Sequence, residues 1–307
     1  MDLKTLLVSF LICALLQYVI QKFFIKNNLF DDINHRSSHN TFATRTGGIG
    51  VFVTLLLISL FYYFNGVKIF DYSLFIPLGI MFIVGVYDDF YNADFKLKFF
   101  LQIIVAKILI DQGFVISNFH GFFGFYEVPW LFAQITTIFV FLLVVNALNF
   151  IDGIDGLAVT EVIKTILIIE LFSDSFSQLL KLSVVVICSL IPLYYFNFKK
   201  EKKVFLGDAG SLFLGTLIAI YILYVLGPKY SIKNNFEVNK AFFVVIAFIY
   251  PLVDLFRVFI LRIKDGKSPF IADKRHLHHL LTERSDYAMP IIISIEVVIF
   301  LVAICSV

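Results

Sequence analysis

Ten long apolar runs constrain the fold of this chain more than any other feature. The protein is 60% hydrophobic and 16% charged, and its mean hydropathy is +0.90. About 20 apolar helical residues cross the hydrocarbon core of a bilayer, and soluble domains rarely contain several such runs. The runs are continuous rather than alternating, which favours helices over a β-barrel. We predict an all-α integral membrane protein with about ten transmembrane helices, at 3–24, 47–65, 72–88, 97–113, 130–148, 156–173, 179–196, 209–227, 241–262 and 289–306.

The basic residues between these helices are distributed unequally. Fifteen Lys and Arg residues lie in or beside the connections that follow odd-numbered helices, against four after even-numbered helices. Cytoplasmic connections of membrane proteins are enriched in Lys and Arg. We therefore expect the odd-numbered connections in the cytoplasm and both ends of the chain outside. There is no internal repeat and no separate soluble segment, so residues 1–307 are predicted to form a single polytopic membrane domain.

Acidic residues stand at the ends of three predicted helices, all on the expected cytoplasmic side. They are Asp88, Asp89, Asp152, Asp155 and Asp208. Charge at membrane depth is costly unless it is paired or used in function. The adjacent carboxylates of Asp88 and Asp89 repel each other, which favours a bound cation, and Mg²⁺ takes one or two carboxylates together with substrate phosphates. We predict that the acidic residues line one cytoplasm-facing cleft.

The string Asn146–Ala158 contains Asn149, Asp152 and Asp155 at a spacing of three. On a helical turn this spacing places the three side chains on one face, and the intervening glycines permit close approach of a ligand. A Ca²⁺ loop is excluded because the string lacks the length and the closing Glu. A turn with a capping Asp would explain one of the acidic residues but not the set.

Three other cytoplasmic connections carry groups suited to phosphate. Lys96 and Lys98 follow the acidic pair, and the first connection contains His39 and Arg45 before Gly47-Gly48. Basic residues at a membrane surface and glycine at a helix start are also ordinary, so each signal alone is weak. The segment Gly207–Ser211 opens a helix, where an N-cap and an anion site are compatible interpretations.

The last connection holds a histidine-rich cluster: Arg275, His276, His278 and His279. Zinc is the first interpretation of such a cluster, but the supporting thiols are absent and the neighbouring cations disfavour a metal. A ring of donors around a diphosphate fits better. Pro251 is expected to disturb the preceding helix, and Asp254 and Arg257 within it are given no catalytic role.

Taken together and in order, these five motifs resemble the polyprenyl-phosphate N-acetylhexosamine-1-phosphate transferases, a glycosyltransferase family 4 type of enzyme. The resemblance covers nearly the whole chain. It implies a Mg²⁺-dependent reaction, with Mn²⁺ as an alternative, at the cytoplasmic face of the bacterial cytoplasmic membrane. A phosphate oxygen of undecaprenyl phosphate attacks the β-phosphorus of a UDP-N-acetylhexosamine, and UMP leaves. The partners implied are these two substrates and the lipid bilayer; no nucleic acid is expected, and a homodimer is left open.

The resemblance also implies roles for individual residues. Asp88, Asp89 and Asp208 match catalytic acidic positions, Asn149 and Asp208 match the Mg²⁺ ligands, and Lys98 matches the carrier-phosphate lysine. Asp152 and Asp155 match the nucleotide motif. The loop that contacts diphosphate and sugar is matched by Arg275, His276, His278 and His279.

The motifs Asn34–His39 and Thr44–Gly48 look like the branch that primes O-antigen or capsule chains, although this chain lacks the two prolines common there. The segment Arg275–His279 departs from the phospho-N-acetylmuramoyl-pentapeptide transferases, which carry a His-His-His run followed by an acidic residue. We therefore expect N-acetylglucosamine or a 6-deoxy relative as the sugar, in the first membrane step of surface-polysaccharide synthesis. The peptidoglycan enzyme remains the alternative.

Two classes outside this family compete with that hypothesis. A polytopic transporter or flippase would use Asp152, Asp155 and Asp208 as an ion relay, but it predicts repeated halves and carboxylates near the bilayer midplane. A CDP-alcohol phosphotransferase also needs Mg²⁺ and a membrane, but its Asp-Gly-x₂-Ala-Arg string is absent.

Overall fold

The computed structural model describes residues 3–30, 43–121, 124–233, 236, 238–266, 275–282 and 287–305, without the side chains of His278, His279, Ala288 and Cys305. Its helices are α1 Leu3–Lys26, α2 Gly47–Phe64, α3 Phe75–Tyr91, α4 Phe95–Asp111, α5 Trp130–Ile151, α6 Leu157–Phe172, α7 Leu180–Asn197, α8 Gly207–Leu226, α9 Lys240–Ala247, α10 Ile249–Lys264, α11 Leu277–Thr282 and α12 Ala288–Cys305. A 3₁₀ turn, Tyr72–Leu74, precedes α3, and two short strands, β1 Ala43–Thr44 and β2 Lys203–Val204, complete the described structure.

Within these described ranges, six helices are long and apolar enough to cross a membrane: α1, α2, α3 with its 3₁₀ turn, α5, α7 and α8. The pair α9–α10 makes a seventh if it forms one span. Large apolar side chains are exposed on these helices, among them Phe61 and Ile83, as expected for surfaces that face lipid. The protein is an all-α integral membrane protein with several spans, which confirms the predicted class. Ten spans stay a prediction, since α4 and α6 have only 17 and 16 residues.

The segment predicted as a span over 241–262 forms two helices, and the disturbance expected from Pro251 is present. The chain bends by 78° between α9 and α10, at Phe248. Pro251 has no N–H to donate to the carbonyl of Ala247, four residues earlier, and its ring would crowd that carbonyl. The Thr165 hydroxyl donates to the Ala247 oxygen instead, at 3.4 Å. Apolar continuity identified the segment, and Pro251 indicated the break but not its angle.

The described residues group into two packed units, and the boundary between them falls inside α8. The first unit comprises 1–93 and 178–213, in which α1 packs against α2 and α7. Strand β1 pairs in parallel with β2, and the Gly47 and Gly48 N–H groups continue the ladder by donating to the carbonyls of Phe205 and Leu206, at 2.9 and 2.8 Å. This ladder fixes the start of α2 beside the segment that leads into α8. The prediction of a single domain stays a prediction.

Glycines bring α2 and α3 of the first unit into backbone contact with the start of α8. A Cβ added to Gly48 would lie 2.2 Å from the Cα of Gly210, and one added to Gly85 would lie 2.3 Å from the carbonyl oxygen of Asp208. Real Cβ atoms do not approach so closely, so both positions need glycine. The close backbone approach expected at Gly47-Gly48 is therefore present, and its partner is α8.

The second unit comprises 94–177 and 214–307. Helix α5 packs against α4 and α10, and the amide of Asn146 on α5 donates to the Gln102 side chain on α4 at 2.8 Å. Gly215 lies against the backbone of Val145, where an added Cβ would be 3.1 Å from the Val145 Cα. Helices α6, α9, α10 and α12 also contact one another in this unit.

Gly85→Ala should lower the thermal stability of the purified protein in detergent. The new methyl group would overlap the start of α8, and such overpacking costs about 1–3 kcal/mol. Gly79→Ala on the same helix is the matched control, because its Cβ would meet nothing closer than 3.8 Å. There we expect no loss, since Ala stabilises a helix interior by about 1 kcal/mol relative to Gly. Equal Tm values for the two variants would contradict the close packing of α3 on α8.

Candidate active site

The carboxylate of Asp89, near the end of α3, caps the start of α8. Its Oδ1 accepts a hydrogen bond from the N–H of Asp208 at 3.0 Å, and its Oδ2 accepts one from the N–H of Ala209 at 2.9 Å. The first N–H groups of a helix have no partner within the helix, and they carry the positive end of its dipole. One carboxylate therefore satisfies two of these groups and fixes the first turn of α8.

Two further residues complete the surroundings of this carboxylate. The guanidinium Nη1 of Arg45 lies 3.6 Å from Asp89 Oδ1, and the Asp89 side chain is only 5% exposed. Gly207 has φ +75°, and a Cβ there would lie 2.9 Å from Asp89 Oδ2. Gly207 thus allows both the left-handed turn and the approach of the carboxylate. Arg45, a weak candidate from sequence, lies beside one of the predicted catalytic residues.

Asp88 has different partners from its neighbour. Its Oδ1 accepts from the N–H of Ala93 at 2.8 Å, and its carbonyl accepts from the N–H of Asn92, which adopts a left-handed φ of 51°. Asp88 is buried, and these two hydrogen bonds hold the residues that follow the end of α3. Repulsion between Asp88 and Asp89 predicts a cation beside them, but backbone donors also contact both carboxylates. Two backbone N–H groups and the guanidinium of Arg45 lie against the carboxylate of Asp89.

Asp208 lies in the first turn of α8 and is partly exposed, unlike the buried Asp88. The hydroxyl of Ser211 donates to its carbonyl at 3.5 Å. The structure brings Asp208 into contact with Asp89, which the sequence placed in the same cluster. A partly exposed carboxylate on a fixed helical turn fits Mg²⁺, since this ion often takes one or two protein carboxylates and completes its shell with substrate phosphates and water. Among the described residues there is no group of three His, Cys, Asp or Glu residues able to hold a metal by themselves.

In the second unit, the polar string at the end of α5 does not form a continuous helical turn. Asn149 lies in the last turn of α5, Asp152 is its C-cap, and Asp155 lies in the turn before Gly156. The N–H of Asp152 donates to the carbonyl of Asn149 at 3.3 Å. The prediction that the three side chains share a helical face is therefore wrong, because the helix ends at Ile151 and Gly156 takes a φ of +75°. All three side chains remain partly exposed.

His276 of the second unit is buried and held by Asp254. His276 Nδ1 lies 2.6 Å from Asp254 Oδ2, and the N–H of Leu277 donates to Asp254 Oδ1 at 2.7 Å. Arg262 Nη2 lies 3.5 Å from His276 Nε2, and the Phe150 ring lies against both side chains. Asp254 is fully buried. Sequence reasoning gave this residue no role, although a carboxylate inside an apolar helix was a signal of one.

The other predicted site residues lie in the second unit or outside the described part of the chain. Arg257 donates to the carbonyl of Arg275 at 2.6 Å, and Arg275 forms an ion pair with Asp265. Lys96 is exposed and Lys98 is partly exposed, both in the first turn of α4. His39 lies outside the described residues, as do the side chains of His278 and His279, although their backbones belong to α11.

Comparison with known proteins places these motifs in a family. The family "Glycosyl transferase family 4" matches residues 71–226, just over half of the chain. The chain belongs to this family. The matched region includes the acidic pair on α3, the polar string after α5 and the start of α8.

Curated relatives match over a longer part of the chain. The probable undecaprenyl-phosphate N-acetylglucosaminyl 1-phosphate transferase of Bacillus subtilis is 31% identical over 285 residues, 90% of this chain and 75% of the relative. The undecaprenyl-phosphate alpha-N-acetylglucosaminyl 1-phosphate transferase of Yersinia pestis is 30% identical over 284 residues, with the same two coverages. The decaprenyl-phosphate N-acetylglucosaminephosphotransferase of Mycobacterium leprae is 31% identical over 218 residues, 65% of this chain and 54% of the relative.

Asp89→Asn should loosen the first turn of α8. The amide keeps one acceptor oxygen but turns an NH₂ group toward the second backbone donor, and a hydrogen bond to a charged group contributes about 1.5–3 kcal/mol. We expect faster hydrogen–deuterium exchange in peptides that contain Asp208 and Ala209, together with a lower Tm. Asp71→Asn is the control, since Asp71 is exposed and caps only a short turn. Unchanged exchange at the start of α8 in Asp89→Asn would refute the capping role.

Proposed function

We propose that this protein transfers N-acetylhexosamine-1-phosphate from a UDP-sugar to undecaprenyl phosphate. The products are undecaprenyl-diphosphate-N-acetylhexosamine and UMP. Membership of glycosyl transferase family 4 supports this proposal, as do the names of the relatives. The observation that carries it is the start of α8, where a buried carboxylate from α3 holds Asp208 in a fixed, partly exposed position within a membrane protein.

The reaction forms a bond between an oxygen of the lipid phosphate and the β-phosphorus of the UDP-sugar. The bond from that phosphorus to the oxygen bridging the two phosphates breaks, and UMP leaves with the electron pair. A phosphate monoester is largely ionised near neutral pH, so direct attack needs little help from a base. Phosphoryl transfer depends mainly on positioning and on stabilisation of negative charge.

Different side chains are proposed to position the substrates and to stabilise the negative charge. Asp208 and Asn149 keep the role that the resemblance implies, as ligands of Mg²⁺ or Mn²⁺, and the bound ion would neutralise charge on the diphosphate. Asp89 holds the first turn of α8 and so positions Asp208. Asp88 orients the lipid phosphate or accepts its proton. Lys98 serves the carrier phosphate as a point charge.

The nucleotide and sugar are assigned to residues of the second unit. Asp152 and Asp155 are proposed to bind the uridine part, and the cluster that begins at Arg275 to bind the diphosphate and sugar. His276 is buried against Asp254, so its contribution is to fix this cluster in place. Arg275, His278 and His279 would then provide the substrate contacts.

The proposed location is the cytoplasmic face of a bacterial cytoplasmic membrane, with ten spans in all. The excess of Lys and Arg in the odd-numbered connections supports this orientation. The names of the relatives favour N-acetylglucosamine as the sugar, with a 6-deoxy relative as the other choice. The protein would then catalyse the first membrane step of a surface polysaccharide.

The direct experiment measures UMP release by purified protein with undecaprenyl phosphate, Mg²⁺ and a panel of UDP-sugars. We expect turnover with a simple UDP-N-acetylhexosamine and loss of activity when the divalent cation is chelated. Asp208→Asn should lower the rate at least about a thousandfold, because several kcal/mol of transition-state stabilisation would be lost. Asp111→Asn, which alters an exposed carboxylate on α4, is the control and should leave the rate unchanged.

Three results of this assay would each contradict a part of the proposal. Wild-type turnover by a folded Asp208→Asn variant would refute the metal assignment. UMP release with UDP-N-acetylmuramoyl-pentapeptide alone would move the protein to the peptidoglycan branch and leave the reaction class intact. No UMP release with any UDP-sugar from an active preparation would contradict the proposed reaction.

A further inference from the structure

Three ionisable side chains of the second unit form a buried cluster that the proposed reaction does not use. Lys164 Nζ lies 2.6 Å from Glu161 Oε1 on the same helix, α6, and 2.8 Å from Glu296 Oε1 on α12. The Glu161 side chain is fully buried, and those of Glu296 and Lys164 are 4% and 8% exposed. Charged residues are seldom buried so deeply unless each is paired.

The two glutamates have different numbers of donors. Glu296 Oε1 accepts from Lys164 and also from the backbone N–H of Tyr250, at 3.0 Å. That N–H lies in the first turn of α10, just after the 78° bend, and therefore has no partner within the helix. Glu161 accepts from Lys164. Oε2 of Glu161 and Oε2 of Glu296 are both buried, and neither has a hydrogen-bond partner among the residues that the structure describes.

The charges of the three groups do not balance if both glutamates are ionised. Two carboxylates and one ammonium leave one negative charge in an apolar interior, which is unfavourable. The two buried acceptor oxygens that have no donor among the described residues are a further cost to folding. Carboxylates that share one site cannot both ionise at ordinary cost, and one proton corrects the charge and supplies a donor.

We propose that Glu161, Lys164 and Glu296 form a buried proton-binding site that holds one proton between the two glutamates. The proton resides on Glu161, because Glu296 keeps the two donors that stabilise its charge. The cluster is then neutral and ties α6 and α12 to the start of α10. Asp254 lies one turn after Tyr250 on α10, so the cluster fixes the helix that holds His276.

Infrared spectroscopy of the purified protein near neutral pH tests the proposal, because a protonated buried carboxyl has its own C=O band. We expect this band in the wild type and its loss in Glu161→Gln. The band should also disappear in Glu296→Gln, because a single carboxylate beside Lys164 needs no proton. Glu170→Gln, on the same helix, is the control. Glu170 accepts hydrogen bonds from the hydroxyls of Tyr221 and Ser177 and takes no part in the cluster, so the band should remain.

Two outcomes would overturn the proposal: no protonated carboxyl band in the wild type, or a band that persists unchanged in both Glu161→Gln and Glu296→Gln. Two independent variants guard against a failure of either to fold, which a Tm measurement detects. The wild-type spectrum decides the first outcome without any variant. None of these measurements depends on transferase activity, so the result is separate from a failure of the proposed function.

Discussion

The hydrogen bonds from the first turn of α8 to Asp89 are the interaction on which the candidate site depends. A helix that starts inside a membrane protein leaves N–H groups that must find an acceptor, and one carboxylate from α3 meets two of them. The glycines at 48, 85 and 210 let the three helices approach closely enough for this contact. The position of Asp208 therefore depends on how the helices of the first unit pack.

A second interaction of the same kind organises the last cytoplasmic motif. Asp254 binds both the imidazole of His276 and the backbone N–H of Leu277, so one buried carboxylate fixes the start of α11. The bend before α10 leaves the N–H of Tyr250 without a partner within its helix, and Glu296 accepts its hydrogen bond. In each case a carboxylate inside the apolar region satisfies backbone donors at a helix start. Buried carboxylates in this protein thus stabilise helix starts, in addition to any catalytic role.

Much of the fold could be predicted from sequence, because hydrophobic runs and their flanking charges are local properties. The helices and the acidic residues at their ends followed from such patterns, and the ordered motifs identified the family. The angle of the bend before Pro251 did not follow from these patterns. The regular spacing of Asn149, Asp152 and Asp155 suggested a shared helical face, which the end of α5 at Ile151 prevents. The partners of Asp89, Asp254 and Glu296 lie far away in sequence, so no local pattern reveals them.

The most direct measurement of the central claim is an experimental structure of the protein with a UDP-N-acetylhexosamine and Mn²⁺, in which anomalous scattering locates the metal. The account predicts the metal at the carboxylate of Asp208, while both oxygens of Asp89 stay on the N–H groups of Asp208 and Ala209. A metal bound directly by Asp89, with those two N–H groups released, would contradict it.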